Sequence, residues 1–498
     1  MSISIDITQI EEPELEFGPK GFSIDPKIGL IEAGPLSLQF GTAHHEHVLV
    51  GLVGPNEMLN HARQWFDRCQ RYISSNSSKQ TLMRDFPGFH QVFRASLDLS
   101  TQLWEFRIPD DEIDKALERS DPQDRFNTIL NLFTAGIREL HHREPRPGVV
   151  IVCVPEEVIN KCGSVRAPRL SKQDKQMLKI QKSGQLVLPG MEELVEIEDT
   201  LLYKSFRRAL KARAMDIGIP IQIGTDNLFI DSEENQDPAT RAWNVCLALF
   251  YKADGLPWRL KDLPPDTCYV GISFHHLRTQ QRHLVFSSLA QAFPTTGEGF
   301  ALRGDAIPWD PNSGDRTPHL TEEQAARLAL RILEQYSQRV GTNPLRVMLY
   351  KTSKFEQAEQ IGFKAALSSI PLVEMINLRP SEFRLIRRGV YPPHRGTVAS
   401  VNSSTHYIFT NGYFSYWGTY MGAHIPVPYE VKLMDESDPF QVCKDIMGLT
   451  KLNWNSARAF TGVPIPIRFA REVGSIMSHY AELKGEDAEP NPSYRFYM

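Results

Sequence analysis

The sequence predicts an α/β fold built as two successive units, and two observations carry that expectation. Short β-branched runs, among them Val149 to Val154, alternate with amphipathic helical stretches between residues 47 and 252, the pattern of a doubly wound parallel sheet. From Cys268 a second series opens with a strand and two further extended segments, then continues as helix, strand and helix. The expected organisation is a lead-in strap over residues 1–46, a first domain over 47–258 and a second over 259–498.

The elements follow in order. Residues 1–46 are rich in Gly and Pro and read as short extended pieces strapped across the later domains. His47 to Gly54 reads as a buried strand, followed by a helix from Asn56 through Trp65 and Phe66. GLVGP at its turn has neither the G-x-G-x-x-G spacing nor the GK[ST] ending of a phosphate loop. Ile129 to Leu140 reads as helix, Val149 to Val154 as a central strand, and residues 163–200 as an exposed insertion. Beyond the connector Arg259 to Thr267, strands are expected at Cys268 to Ser273, Arg282 to Leu289 and Gly299 to Gly304. A helix from Thr321 to Arg339, a strand from Leu345 to Tyr350 and a helix from Lys354 to Phe363 complete the series.

Composition narrows the function. The 498 residues are 41% hydrophobic and 23% charged, ordinary for a globular chain that buries substantial cores. A formal net charge of -5 supplies no global field for nucleic acid, so any such binding rests on local patches. The amino terminus has no basic n-region or apolar h-region, and Val245 to Tyr251, the longest apolar run, is far short of a membrane span. Six cysteines without C-x-x-C pairs fit reduced thiols and a cytoplasmic location. His44, His45 and His47 are too close in an extended segment to converge on a metal.

The most informative stretch is Leu201 to Ile223, taken with Lys252. At helical spacing Tyr203, Arg207 and Lys211 share one stripe beside an apolar face, and Gly218-Ile219-Pro220 stops the helix. Gln222 follows in an extended segment, and Lys252 ends an apolar run where an unpaired ammonium is costly. A single cationic stripe is ordinarily a solvated face. Taken as a set, these groups suit an anion, placed where doubly wound sheets gather ligands, at the carboxyl ends of strands.

That set, Arg207, Lys211, Gln222 and Lys252 ahead of Gly255-Leu256-Pro257-Trp258, resembles the guide 5′-phosphate pocket of the MID domain of Argonautes. Arg207 stands where the family commonly has an aromatic residue. The second series resembles the RNase H-like PIWI domain, so the resemblance implies a Rossmann-like MID domain followed by PIWI. Active family members hold two metal ions on clustered carboxylates. Here Ser273, Thr352 and Arg471 take those positions, with Arg468 nearby, and neutral hydroxyls beside a guanidinium do not balance divalent cations, so cleavage is not expected. Gly271-Ile-Ser273-Phe-His275 lacks the last glycine of a nucleophile elbow, which argues against a hydrolase.

Gly297 to Gly304, Tyr350 to Ser353, Leu452 to Ser456 and Pro464 to Ala470 bring the resemblance closest to the short prokaryotic Argonautes. Arg387, Arg388 and Arg395 lie among aromatics in a basic segment suited to tracking a strand, with Arg458 and Arg468 as further backbone contacts. The aromatic tail Tyr494 to Met498 is expected to dock. By resemblance, the carboxylate of Met498 approaches the guide phosphate, with Mg2+ between them. The resemblance also implies a guide RNA with a 5′-phosphate, a complementary single-stranded DNA target, and a separate APAZ-containing effector. That effector is expected to be sirtuin-like, by Gly34 to Phe40, or else to carry a TIR or nuclease unit, and to act in antiphage or antiplasmid defence, often by NAD depletion. The alternative is a guide-independent enzyme whose basic pocket takes a nucleotide.

Overall fold

The first strands pair with segments hundreds of residues further along the chain. In the computed structural model, strand β1 (Asp6–Gln9) pairs antiparallel with Thr397–Ser400, and Leu15–Glu16 pairs with Arg259–Leu260. The structure describes residues 5–76, 83–99, 103–166, 203–232, 235–264, 266–277, 285–294, 299–308, 318–387, 392–420, 422, 424–485 and 488–498. Within the strap lies a helix that the Gly/Pro pattern concealed, α1 (Pro26–Ala33). Asp25 starts it by accepting the amides of Lys27 and Ile28 at 2.8 and 3.3 Å, and Pro26 occupies a first-turn position that needs no N–H.

The first sheet is parallel. Strands β2 (His47–Gly54) and β3 (Val149–Cys153) lie side by side, and β3 is buried throughout. Helix α2 (Phe206–Ile217) leads to strand β4 (Ile221–Gly224) beyond β3, and helix α3 (Pro238–Lys252) follows. On the other side of β2, Ser96–Asp98 and Glu105–Arg107 pair with its two ends. Gly218, at φ 91, ends α2 in the left-handed conformation expected of a glycine cap. The start differs from expectation: Tyr203–Ser205 is a strand paired with Ser164–Arg166, so Tyr203 is not on the helical stripe. The expected insertion lies outside the described residues from position 167 onward.

Among the described residues the second sheet has nine strands. From β5 (Thr267–Leu277) it runs on one side to the antiparallel β6 (Val285–Pro294) and β7 (Phe300–Pro308). On the other side the parallel β8 (Arg346–Lys351) and β9 (Leu372–Pro380) continue it. The antiparallel β12 (Tyr429–Leu433), β11 (Thr405–Ile408) and β10 (Thr397–Ser400) then lead to β1 at the edge. Val270, Ile272, Val347 and Leu349 pack with the helices Glu322–Val340 and Gln357–Ala366. The alternate residues Tyr269, Met348 and Tyr350 face helix α4 (Ile465–Lys484), as the two-residue repeat of a strand requires. All six cysteines are free and buried.

A buried ion cluster ties the strap to this sheet. Glu12 accepts Arg395 Nε at 2.9 Å and Lys451 Nζ at 2.9 Å. Arg395 also donates to Thr450 Oγ1 at 2.7 Å and to the Thr410 carbonyl, and its guanidinium lies 3.9 Å from the Phe460 ring centroid. Burial alone would raise the Glu12 pKa, but the two cations hold it below the usual carboxylate range. This corrects the expectation for Arg395: at 4% exposure, with its donors engaged internally, it is structural and not a nucleic-acid contact. Arg395→Ala leaves Glu12 short of a buried partner and is expected to cost about 3 to 5 kcal/mol, measured by urea unfolding.

Candidate anion-binding site

Helices α2 and α4 pack against each other, and the chain's last residues fill the end of their contact. Between them lies a cavity of about 600 Å3. α2 contributes Arg207, Arg208 and Lys211, α4 contributes Glu472 and Ser475, and the docked tail contributes Tyr497 and Met498. Tyr497 and Met498 are 1% and 3% exposed, so the tail is a wall of the site and not a frayed end.

Lys211 Nζ donates to the Tyr497 carbonyl at 3.3 Å. Burial pushes its pKa down to about 8; Glu472 supports the charged form, while Arg207 and Arg208 oppose it. Lys252 is 1% exposed and donates to the Ile221 carbonyl at 3.0 Å and to Gln222 Oε1 at 2.6 Å. Its pKa is driven well below that of an ordinary lysine by burial and by repulsion from Lys211. Arg207, Lys211 and Met498 therefore line one cavity, whereas Gln222 and Lys252 pair with each other and are not among its lining residues.

The position also differs from expectation. Ile221 is the first residue of β4, and a side chain at Gly148, just before β3, would meet Ala253. Lys252 thus sits at the amino ends of the strands, not at the carboxyl ends where open α/β sheets usually gather ligands. Sequence reasoning missed Arg208, Glu472 and Ser475. Arg208 was legible as the neighbour of Arg207, but the α4 residues become pocket residues only through the packing of two domains.

The remaining cations divide. Arg468 donates through Nε to Glu472 at 3.1 Å, one helical turn away on α4. Arg387 contacts His394 and lies 5.3 Å from the Tyr413 ring centroid. Arg458 is exposed, and its side chain forms no hydrogen bond or ion pair with the described residues. Arg388 lies outside the described residues, as does the side chain of Arg471.

At the strand ends of the second sheet, Ser273 Oγ donates to the Ala470 carbonyl on α4 at 2.8 Å. Asn377 donates to the carbonyls of Lys351, Thr352 and Ser353 at 3.1, 3.1 and 2.7 Å, which fixes the turn after β8. Lys351 leaves the strand on the other face and meets Glu359 at 2.5 Å. Ser273 lies in an antiparallel strand and not at a strand-to-helix turn, so the nucleophile-elbow geometry is absent there. Among the described residues no group of three or more His, Cys, Asp or Glu is placed to hold a metal ion, and no helix is long and apolar enough to cross a membrane.

A parallel domain followed by a mixed, RNase H-like sheet, with a basic cavity at their junction, is an Argonaute-like fold. Clostridium butyricum Argonaute, solved with a guide DNA (5′ deoxycytidine) and a 19-mer target DNA, is similar with a TM-score of 0.62 and 14% identity over 95% of this chain. Aa-Ago, solved with externally bound siRNA, is similar with a TM-score of 0.57 and 12% identity over 99% of this chain. These alignments cover 53% and 56% of the two Argonautes, so the chain spans about half the length of each. No family model and no curated protein matches the sequence.

The close seat of α4 on β5 depends on Gly271, where a Cβ would fall 1.9 Å from the Pro466 carbonyl oxygen. Gly271→Ala is expected to destabilise the fold by about 1 to 3 kcal/mol or more, because backbone must move. Ser273→Ala removes one hydrogen bond and is expected to cost only about 1 kcal/mol in the same urea titration.

Proposed function

We propose that this chain holds a short guide strand, an RNA, by its 5′-phosphate and pairs it with a complementary single-stranded DNA. The observation that carries this reading is the cavity with Arg207, Arg208 and Lys211 on one wall and a single pocket carboxylate side chain, Glu472, on the other. Its fold is shared with an Argonaute solved with guide and target. Charge-assisted hydrogen bonds from two guanidinium groups and an ammonium suit a terminal dianion. Lys252, which bonds Gln222, lies close enough to that wall to feel the charge of Lys211. Base pairing would supply sequence specificity while the protein reads backbone and shape.

Magnesium would suit this end of the cavity: Glu472 and the Met498 carboxylate would supply oxygen ligands, and Mg2+ is commonly shared between carboxylates and a phosphate. The hydroxyls of Ser273 and Thr352 support a reading in which the chain does not cut. Output then passes to an APAZ-containing partner, sirtuin-like by preference and TIR or nuclease otherwise, in a heterodimer that assembles further on activation. NAD depletion in the cytoplasm as antiphage or antiplasmid defence is the corresponding role.

A cavity of about 600 Å3 also suits a free nucleotide, which keeps a guide-independent enzyme as the second reading. Competition between a mononucleotide and a 5′-phosphorylated octanucleotide separates them: the guide reading requires the octanucleotide to bind far more tightly. Arg207→Ala with Lys211→Met is expected to weaken the phosphorylated strand by about 100-fold and the 5′-hydroxyl strand far less. Unchanged binding would show that the pocket is misassigned.

The pH dependence follows from Lys211. Its ammonium, poised at about 8, is the form that binds phosphate, and binding raises its pKa. Affinity should therefore fall as pH rises through about 8, with proton uptake on binding, and this feature should vanish in Lys211→Met. Incubation of purified chain with paired target and Mg2+ or Mn2+ should leave the target intact; cleavage lost on Ser273 or Thr352 substitution would overturn the silent assignment.

A further inference from the structure

A second, smaller cavity of about 190 Å3 lies further back along the docked tail and shares no lining residue with the α2–α4 cavity. The end of α3 and the turn after it supply Tyr251 and Asp254, the helix Glu322–Val340 supplies Arg339, and the tail supplies Asn491, Ser493 and Arg495. Its two guanidinium groups are held in place. Arg339 donates to the Gln335 carbonyl and side-chain oxygen at 3.1 and 2.6 Å and lies 4.6 Å from the Phe300 ring centroid. Arg495 donates through Nε to Ser493 Oγ at 3.3 Å and pairs with Asp254. Asp254 stands at φ 71, a left-handed position that usually takes glycine at a helix end, so its carboxylate is kept at a local cost.

The hydrogen-bond acceptors around this space are already engaged. At the end of α3 the Tyr251 carbonyl accepts the Asp254 amide at 3.2 Å, and the Phe250 carbonyl accepts the Gly255 amide at 2.9 Å. The Gly299 carbonyl accepts the Tyr494 amide at 3.3 Å, and the Pro492 carbonyl accepts the Ala301 amide at 2.8 Å. The Asn491 carbonyl accepts the Tyr497 hydroxyl at 2.7 Å, and Asn491 Oδ1 accepts the Ser493 amide at 2.9 Å. Donors are in surplus. The Asn491 amide nitrogen and the Ser493 hydroxyl donate to no acceptor among the described residues. Two guanidinium groups face one lining carboxylate, Asp254, among those residues.

We propose that this cavity binds a small free oxyanion of the size of phosphate or pyrophosphate. A ligand here must bring acceptors, and guanidinium forks match the oxygens of such an anion. Arg339 and Arg495 grip it from two sides, and Asn491 and Ser493 donate to its remaining oxygens. The volume lies below the roughly 300 Å3 at which pockets for larger organic ligands begin, which favours an inorganic anion over a nucleotide. Bound there, the anion ties the helix Glu322–Val340 to the tail, whose last residues wall the α2–α4 cavity. The site itself does not depend on what that larger cavity holds.

The test titrates pyrophosphate by calorimetry into the full chain carrying Arg207→Ala with Lys211→Met, which removes two cations of the α2–α4 cavity. One saturable equivalent should remain. Adding Arg339→Gln, in the exposed last turn of its helix, should weaken that equivalent about tenfold or more. Adding Asp254→Asn instead should tighten it about threefold, because asparagine tolerates the left-handed backbone and no longer competes for Arg495. A carboxylate that only braced the tail would not give that gain. Absence of saturable binding, indifference to Arg339→Gln, or no strengthening by Asp254→Asn overturns the site. These results leave the reading of the α2–α4 cavity to its own test, since the cations that carry it are replaced throughout.

Discussion

A buried lysine, Lys252, set close enough to the half-buried Lys211 to be repelled by it is the central constraint on this molecule. Lys252 loses solvent and is opposed by the charge of Lys211, Lys211 is in turn opposed by Arg207 and Arg208, and burial of an ammonium is costly without a strong partner. The replies within reach are mostly neutral oxygens: the Tyr497 carbonyl for Lys211, and the Ile221 carbonyl and Gln222 amide for Lys252. Glu472 supplies a full negative charge but also serves Arg468. An arrangement of this kind is under-neutralised by construction, and a phosphate entering beside Arg207 and Arg208 would restore the balance.

The scaffold makes the arrangement durable by closing the chain on itself at both ends. β1 completes the second sheet, and the Glu12, Arg395 and Lys451 cluster locks the strap beneath it. At the other end, Tyr494, Tyr497 and Met498 are buried against the first domain and α4. The cavity wall is therefore assembled from elements that join the two sheets, and a shift between the sheets would disassemble it. Gly271 sets how close α4 can come, and so where Glu472 and Arg468 stand.

Much of this was legible from local pattern. The β-branched run at Val149 to Cys153 and the Thr321 cap with its helix gave elements at their observed places, because period and capping are properties of short segments. Arg207, Lys211 and Lys252 were legible as cations in costly or periodic positions. The failures share a different cause. Tyr203 was pulled off the helix by pairing with Arg166, Arg395 was buried by an acid from the opposite end of the sequence, and Glu472 entered the pocket through interdomain packing. Each depends on a segment far away in the chain or on another domain, which no window of sequence contains. α1 was hidden because Asp25-Pro26 and Gly34-Pro35, which bound a helix, also read as loop.

The account turns on whether the cavity holds a strand by a phosphorylated 5′ end. Nucleic acid extracted from the purified chain, end-labelled with kinase before and after phosphatase treatment, tests this directly. The account predicts short strands that accept label only after the phosphate is removed. Strands that label equally without phosphatase, or a preparation with no short strands, would contradict it.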